Sequence, residues 1–318
     1  MISVILLLVG FVLLIKGADI LVDGATSLAR RFNVSDLVVG LTVVAFGTSC
    51  PELFVNLLAS ARGNTDIAIG NVLGSNIANV FLVLGATAAV RPLVVGPGTV
   101  SREIPASLFA AVLLWVLAAD PFARSIHVIS RVDGLVFLGL FSLFLVYTYS
   151  ISRDMDLLED AVRLPAHGPV RSVGMVVAGL VLLALGGQWI VDSAVKLALA
   201  LGLSESVVGL TIVAVGTSLP EMATSVMAAF RGNSDIAVGN IIGSNIFNIF
   251  LVLGVTSMVR PLPFNPIAHA DLAVMVFSNV LLLAFMYSGR KHVLDKWEGL
   301  TFLALYFGYI SFLLVGHG

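Results

Sequence analysis

Apolar stretches about as long as a bilayer is thick recur from one end of the chain to the other, and nothing else constrains its fold so strongly. A helix crossing ~30 Å of hydrocarbon needs ~20 mostly apolar residues. By that measure spans fall near residues 2–29, 36–60, 66–90, 103–119, 132–151, 172–200, 206–229, 235–259, 269–288 and 297–315. Ten such helices in 318 residues leave no length for an appended soluble domain. Only 11% of residues are charged, whereas a water-facing surface needs roughly a quarter, so the solvent is largely lipid. A formal net charge of -2 offers no basic face to nucleic acid. The single cysteine, Cys50, excludes an internal disulfide and a cysteine-built zinc site, and five scattered histidines show no metal-ligand spacing. No cofactor is expected. The first apolar run has no basic residue before it and no small-residue cleavage site, so it reads as a retained span.

The chain repeats itself. Val38 to Glu52 reads VVGLTVVAFGTSCPE, and Val207 to Glu221 reads VVGLTIVAVGTSLPE, 169 residues later. The same offset, without a gap, lays Arg62-Gly63-Asn64 on Arg231-Gly232-Asn233 and Gly74-Ser75-Asn76-Ile77 on Gly243-Ser244-Asn245-Ile246. It also lays Asn79 on Asn248, Arg91 on Arg260, Gly17 on Gly186 and Asp23 on Asp192. Each unit therefore holds five helices, an odd number, so the second enters the membrane from the opposite side. The expected fold is an all-α integral membrane protein: ten transmembrane helices in two inverted-topology five-helix repeats, 1–152 and 172–318, joined by a polar connection at 153–171. With the N-terminus outside, inner connections carry eleven Lys and Arg and outer ones five, Lys16 within the first span left aside. The positive-inside rule then puts both termini on the extracellular or periplasmic face of the inner membrane.

Against this apolar background two acids stand out. Glu52 and Glu221 sit deep in equivalent helices, each directly after a proline. A carboxylate at that depth costs at least ~2.5 kcal/mol on insertion scales. Pro51 and Pro220 have no N–H for the carbonyls of Gly47 and Gly216, so backbone oxygens are freed beside the acids. Irregular backbone is tolerated at this depth only inside the protein, so both kinks face an interior cavity. Thr48 and Thr217 lie four residues before the acids, on the same helix face. The next helix of each unit adds Ser75 and Asn79, or Ser244 and Asn248, again four apart. A site of carboxylate, hydroxyl, amide and carbonyl oxygens, without Cys or His, suits hard cations such as calcium and sodium. The two carboxylates and the carbonyls of Thr48 and Thr217 reach the six oxygens at which calcium coordination starts.

Other polar and small residues read as structural. Asn71, Asn76, Asn240 and Asn245 are expected to hydrogen-bond between helices, Gly70 and Gly74 to make a close helix contact, and Lys16 to snorkel or pair with Asp19. Asp23 and Asp192 read as structural partners near the interface, and the Arg-Gly-Asn triplets as loop turns.

GTSxPE followed by GNxxGSNIxN, present twice, resembles the α-repeats of the calcium/cation antiporter superfamily, in its compact prokaryotic sodium/calcium exchanger branch; the match covers 34–93 and 203–262. The resemblance implies calcium binding by Glu52, Glu221 and the backbone oxygens of Thr48 and Thr217. It implies sodium binding there and at Ala45, Ser49, Ser75, Asn79, Ala214, Ser218, Ser244 and Asn248. Some relatives carry Asp where this chain has Asn79 or Asn248, an acid that in the family accompanies potassium co-transport. The reading is of a monomeric sodium/calcium antiporter working by alternating access, with calcium, sodium and lipid as its partners. Calcium/proton exchange is the alternative, since an acid this buried can titrate near neutrality; that branch generally shows a GN-x-x-E motif where this chain has GTSxPE. A passive cation channel is the reading from another class, and no nucleophile or serine-histidine arrangement supports an enzyme.

Overall fold

The computed structural model describes residues 2–119, 128–154, 167–201, 214–265 and 268–316, which are almost entirely helical. The first half contains α1 (Ile2–Arg31), then a helix in two pieces, α2a (Asp36–Thr48) and α2b (Cys50–Ala61), bent by 42°. It continues with α3 (Thr65–Val90), α4 (Thr99–Ala119) and α5 (Arg131–Asp154). The second half contains α6 (Pro169–Ala200), α7a (Ala214–Thr217), α7b (Leu219–Phe230), α8 (Ser234–Val259), α9 (Ala268–Phe285) and α10 (Lys296–Gly316). Among the described residues eight helices are long and apolar enough to cross a bilayer, or nine when α2a and α2b count as one. The span expected at 206–229 begins outside the described residues, and so does most of the connection expected at 153–171.

Local chemistry sets the helix ends. Ser35 caps α2a by accepting the Val38 N–H at 3.2 Å, and Asn233 caps α8 by accepting that of Ile236 at 3.0 Å. At the start of α5, Asp133 accepts the Ser130 N–H at 2.7 Å while Ser130 Oγ accepts that of Asp133 at 3.3 Å, a reciprocal capping box. Both Arg-Gly-Asn triplets form turns, with Gly63 at φ 87° and Gly232 at φ 81°, a region that glycine enters without steric cost.

Burial separates an inner pair from an outer ring. In α8 94% of the most apolar window is buried and in α3 72%, against 22% to 39% in the other six single spans. The ring keeps residues such as Leu8, Phe11, Val146 and Phe312 exposed, which is what a lipid-facing surface requires. α1 and α6 pack antiparallel along small residues spaced seven apart: Gly10, Gly17 and Gly24 face Gly186, Gly179 and Ser172 in turn. A Cβ on Gly17 would lie 2.9 Å from the Gly179 carbonyl oxygen, so the two backbones run in contact.

Two small strand pairs join the halves. β1 (Leu93–Val94) pairs antiparallel with β4 (Val293–Leu294), and β2 (Val128–Ile129) with β3 (Leu262–Pro263). The all-helical expectation omitted them, because a two-residue strand has no alternation to read. One further expectation is corrected in part: Asp19 pairs with Arg231 at the end of α7b and not with Lys16, which is exposed. The counterparts of Gly70 and Gly74, Gly239 and Gly243, lie close against Leu37 to Ala45; the second-half segment corresponding to that cover, 206–213, lies outside the described residues.

Candidate ion-binding site

Proline places the site. Pro51 and Pro220 fall in the first turns of α2b and α7b, just after Ser49 (φ -84°, ψ 0°) and Ser218 (φ -87°, ψ 4°). The expected kinks are therefore full breaks. A missing N–H costs nothing in a first turn, whereas within a continuous helix it would leave a carbonyl bare. Each break turns Glu52 or Glu221 into a first-turn residue of a new helix, where free amides favour negative charge.

The carboxylates are each 1% exposed and lie within electrostatic reach of one another. Neither oxygen of Glu52 has a hydrogen-bond partner, nor has Oε2 of Glu221; Ser49 Oγ donates to Glu221 Oε1 at 3.4 Å. Ser75 and Thr217 lie beside Glu52, and Thr48, Ser49 and Ser244 beside Glu221. Each acid is thus attended by a serine of its own half and a threonine of the other.

A frame of asparagines orients the rest. Asn79 Nδ2 donates to Asn245 Oδ1 at 3.1 Å, and Asn248 Nδ2 donates to Asn76 Oδ1 at 3.1 Å, a reciprocal pair across the two halves. Asn76 Nδ2 donates to the Asn245 carbonyl at 3.3 Å. With both amide nitrogens committed, Oδ1 of Asn79 and Oδ1 of Asn248 remain buried without partners. Widened π turns begin at or just before these residues, at Asn79–Leu84 in α3 and Phe247–Leu253 in α8, a distortion common at functional sites.

Buried polar atoms are nearly always satisfied, so the unpartnered set here is informative: Glu52, Glu221, Ser75, Ser244, Asn79, Asn248, Thr217 and Ser218 each hold at least one such oxygen. These eight were all singled out from the sequence; Ser60, Glu103 and Thr224 also hold buried unpartnered oxygens and were not. Hard, desolvated cations bind oxygens of this kind. Among the described residues no group of three or more His, Cys, Asp or Glu is placed to hold a metal ion. Ala45 stands apart. Its carbonyl already accepts the Ser49 N–H at 3.0 Å and the Thr48 hydroxyl at 3.4 Å; Ala214 is the first residue of α7a.

Sequence reasoning missed Asn56 and Ser225. Asn71 Nδ2 donates to Asn56 Oδ1 at 2.8 Å, whereas Asn240 Nδ2 donates to Ser225 Oγ at 3.0 Å and its Oδ1 accepts the Thr48 hydroxyl at 3.1 Å. The signal was available: both lie four residues after a site glutamate, on its face, and they correspond under the repeat offset.

A multi-pass helical protein with paired acids and unpartnered oxygens at its centre has the make-up of a secondary ion transporter. The profile of the sodium/calcium exchanger protein family matches residues 2–150 and 171–315, and the chain belongs to this family of membrane antiporters exchanging sodium for calcium. It is 40% identical over 317 residues to the putative antiporter CaxA of Alkalimonas amylolytica, covering 97% of this chain and 98% of that one. It is 33% identical to the sodium/calcium exchanger MaX1 of Methanosarcina acetivorans, covering 99% and 98%. A solved structure of the sodium-calcium exchanger NCX_Mj, soaked with sodium and calcium, superposes with a TM-score of 0.83 at 35% identity, covering 98% of each chain.

Proposed function

We propose that this exchanger carries its ions on one central site built from both halves: Glu52 and Glu221 with the backbone oxygens of Thr48 and Thr217 for calcium, and these with Ser49, Ser218, Ser75, Ser244, Asn79 and Asn248 for sodium. Ala45 contributes its carbonyl only after its present hydrogen bonds rearrange, and Ala214 is its counterpart in the other half. The observation that carries this reading is the set of buried, unpartnered oxygens around two facing carboxylates. Buried unpaired charge costs several kcal/mol per ion. One calcium cancels the pair of charges, and so do two sodium ions, with neutral oxygens left for a third. Occlusion then favours the loaded site, and because both ions need the same acids, loading is exclusive and exchange obligatory.

Ten spans in inverted repeats underlie this cycle. The antiparallel packing of the equivalent helices α1 and α6 supports the inversion. So does strand pairing: β1 follows α3 and β4 follows α9, and strands can pair only on one membrane face, which demands an even number of crossings between them. Counting the α7 region as a crossing meets that demand. The protein works as a monomer in the inner membrane with both termini on the outer side. Sodium rather than proton coupling follows from the neutral oxygens grouped around the acids, which a proton would not need.

The test is sodium-driven uptake of labelled calcium into proteoliposomes by Glu52→Gln and Glu221→Gln. Both variants should fold and neither should transport. Normal transport by either would refute the site, and calcium flux driven by a pH gradient without sodium would replace sodium with protons as the coupling ion.

A further inference from the structure

Behind the asparagine frame the two halves are not equivalent. Asn76 and Asn245 correspond under the repeat offset, and each lends its Oδ1 to a site asparagine of the other half, Asn248 or Asn79. Their own amide nitrogens fare differently. Asn76 Nδ2 donates twice, to the Asn245 carbonyl at 3.3 Å and to the sulfur of Met275 at 3.7 Å. Asn245 Nδ2 is buried and, among the described residues, has no partner. Met275 is fully buried on α9 and is itself held. Its carbonyl accepts Asn279 Nδ2 at 2.9 Å and the Ser278 hydroxyl at 2.8 Å, and Asn279 Oδ1 accepts the Ser107 hydroxyl of α4 at 2.8 Å. Bonded contacts thus run without a gap from Ser107 through Asn279, Met275 and Asn76 to Asn248, whose Oδ1 is one of the unpartnered site oxygens.

Among the described residues the first half offers no such chain. The buried faces of α4 and α9 match at an offset of 168, one less than that of the motif helices: Ser107, Ala111 and Leu114 fall on Met275, Asn279 and Leu282. Ser107 is therefore the counterpart of Met275, and its short side chain bonds Asn279 instead of Asn245.

We infer that Met275 is a positioning residue for sodium: its sulfur fixes the Asn76 amide, and Asn76 in turn aims Asn248 Oδ1 at the ion. A thioether suits the place, because it accepts a weak hydrogen bond yet is apolar enough to be buried without further partners. In the site assigned above calcium takes the two carboxylates and the threonine carbonyls, while Asn248 serves sodium. The Met275 contact therefore strengthens sodium against calcium. The inference rests on that assignment and deepens it, naming a residue that sets the ratio of the two affinities from outside the ligand set.

Met275→Leu keeps the volume and removes the acceptor. In proteoliposomes loaded with labelled calcium, release driven by external sodium gives half-saturating sodium, and release against external calcium without sodium gives half-saturating calcium. The leucine variant should raise the first by about two- to fivefold, the lower part of the range for one hydrogen bond because sulfur accepts weakly, and leave the second unchanged. Met275→Gln, which offers Asn76 an oxygen from a side chain of similar length, should bring half-saturating sodium back to the wild-type value. Met275→Ile also lacks the acceptor and takes the place of the leucine variant where that one fails to fold. Unchanged half-saturating sodium, an equal shift for both ions, or a glutamine variant as impaired as the leucine one would overturn the inference. Absence of sodium-driven calcium release from the wild-type chain would instead refute the functional reading.

Discussion

The first-half helix α3 and its second-half counterpart α8 share the motif GNxxGSN, yet they are packed very differently. α8 is enclosed by α2a: a Cβ on Gly239 would lie 2.9 Å from the Leu37 carbonyl oxygen, and one on Gly243 2.7 Å from that of Leu41. α3 is the less enclosed of the two, with 72% of its most apolar window buried against 94% in α8. Deep in the membrane the two helices remain nearly exact images, with Asn79 held by Asn245 as Asn248 is held by Asn76. Toward their N-terminal ends the burial differs, Asn240 being fully buried and Asn71 half-buried. The lesson is that duplication repeats the residues of the proposed site while the surroundings of each copy differ.

The largest consequence concerns the shared centre. Glu52→Ala and Glu221→Ala should each reduce calcium exchange by at least a hundredfold in proteoliposomes, and equally so, because the acids are equivalent there; a variant retaining a tenth of wild-type flux would show that one copy suffices. Next come the flanks. Gly243→Ala forces a methyl group against the Leu41 backbone and should destabilise by ~1–3 kcal/mol in thermal unfolding of detergent-solubilised protein. An unchanged midpoint would mean that α2a does not enclose α8 there. A smaller contrast lies at the helix ends. Arg231 bridges Asp19 and Asp23, and Asp23 also meets His167 Nε2 at 3.1 Å. The corresponding residues of the other copy are Arg62, Gln188 and Asp192, so one acid of the cluster is missing there. Arg231→Ala should therefore cost ~0.2–1 kcal/mol, the range of exposed pairs, and Arg62→Ala less.

The smallest effect is one of pH. Arg290 holds the Asp295 carboxyl below its usual range through hydrogen bonding and charge. A depressed acid stabilises the fold above its unfolded pKa and loses that contribution as pH falls through the lowered folded value. Arg290→Ala should therefore flatten the acid side of the stability profile slightly, which unfolding midpoints between neutral and acidic pH would report. The connection holding β2 carries Ser130 and Asp133 in a capping box instead.

Much of this was legible beforehand because the signals were covalent and local. Apolar length pointed to a multi-pass helical protein, and the Pro-Glu pairs pointed to the two acids that the fold buries together. The bend at Pro51 was foreseen, but its form was not: a helix can keep a proline by kinking or by restarting, and the choice depends on what receives the freed carbonyls. Of the two roles expected of Lys16, pairing with Asp19 fails because Arg231, remote in the chain, takes that acid, and Lys16 stays exposed. The hydrogen bonds of Asn56 and Ser225 were out of reach for a related reason, although their shared place four residues after a glutamate was readable. An amide has several possible partners, and only packing selects one.

The two strand pairs carry a further implication for assembly. Each consists of one edge from before residue 155 and one from after residue 166, so neither half owns a complete clasp. A gene severed between those points would still encode two pieces bearing each other's missing edges, along with the interlocking glycines of α1 and α6. Co-produced in one cell, such fragments should find one another and rebuild the carrier without a covalent tether.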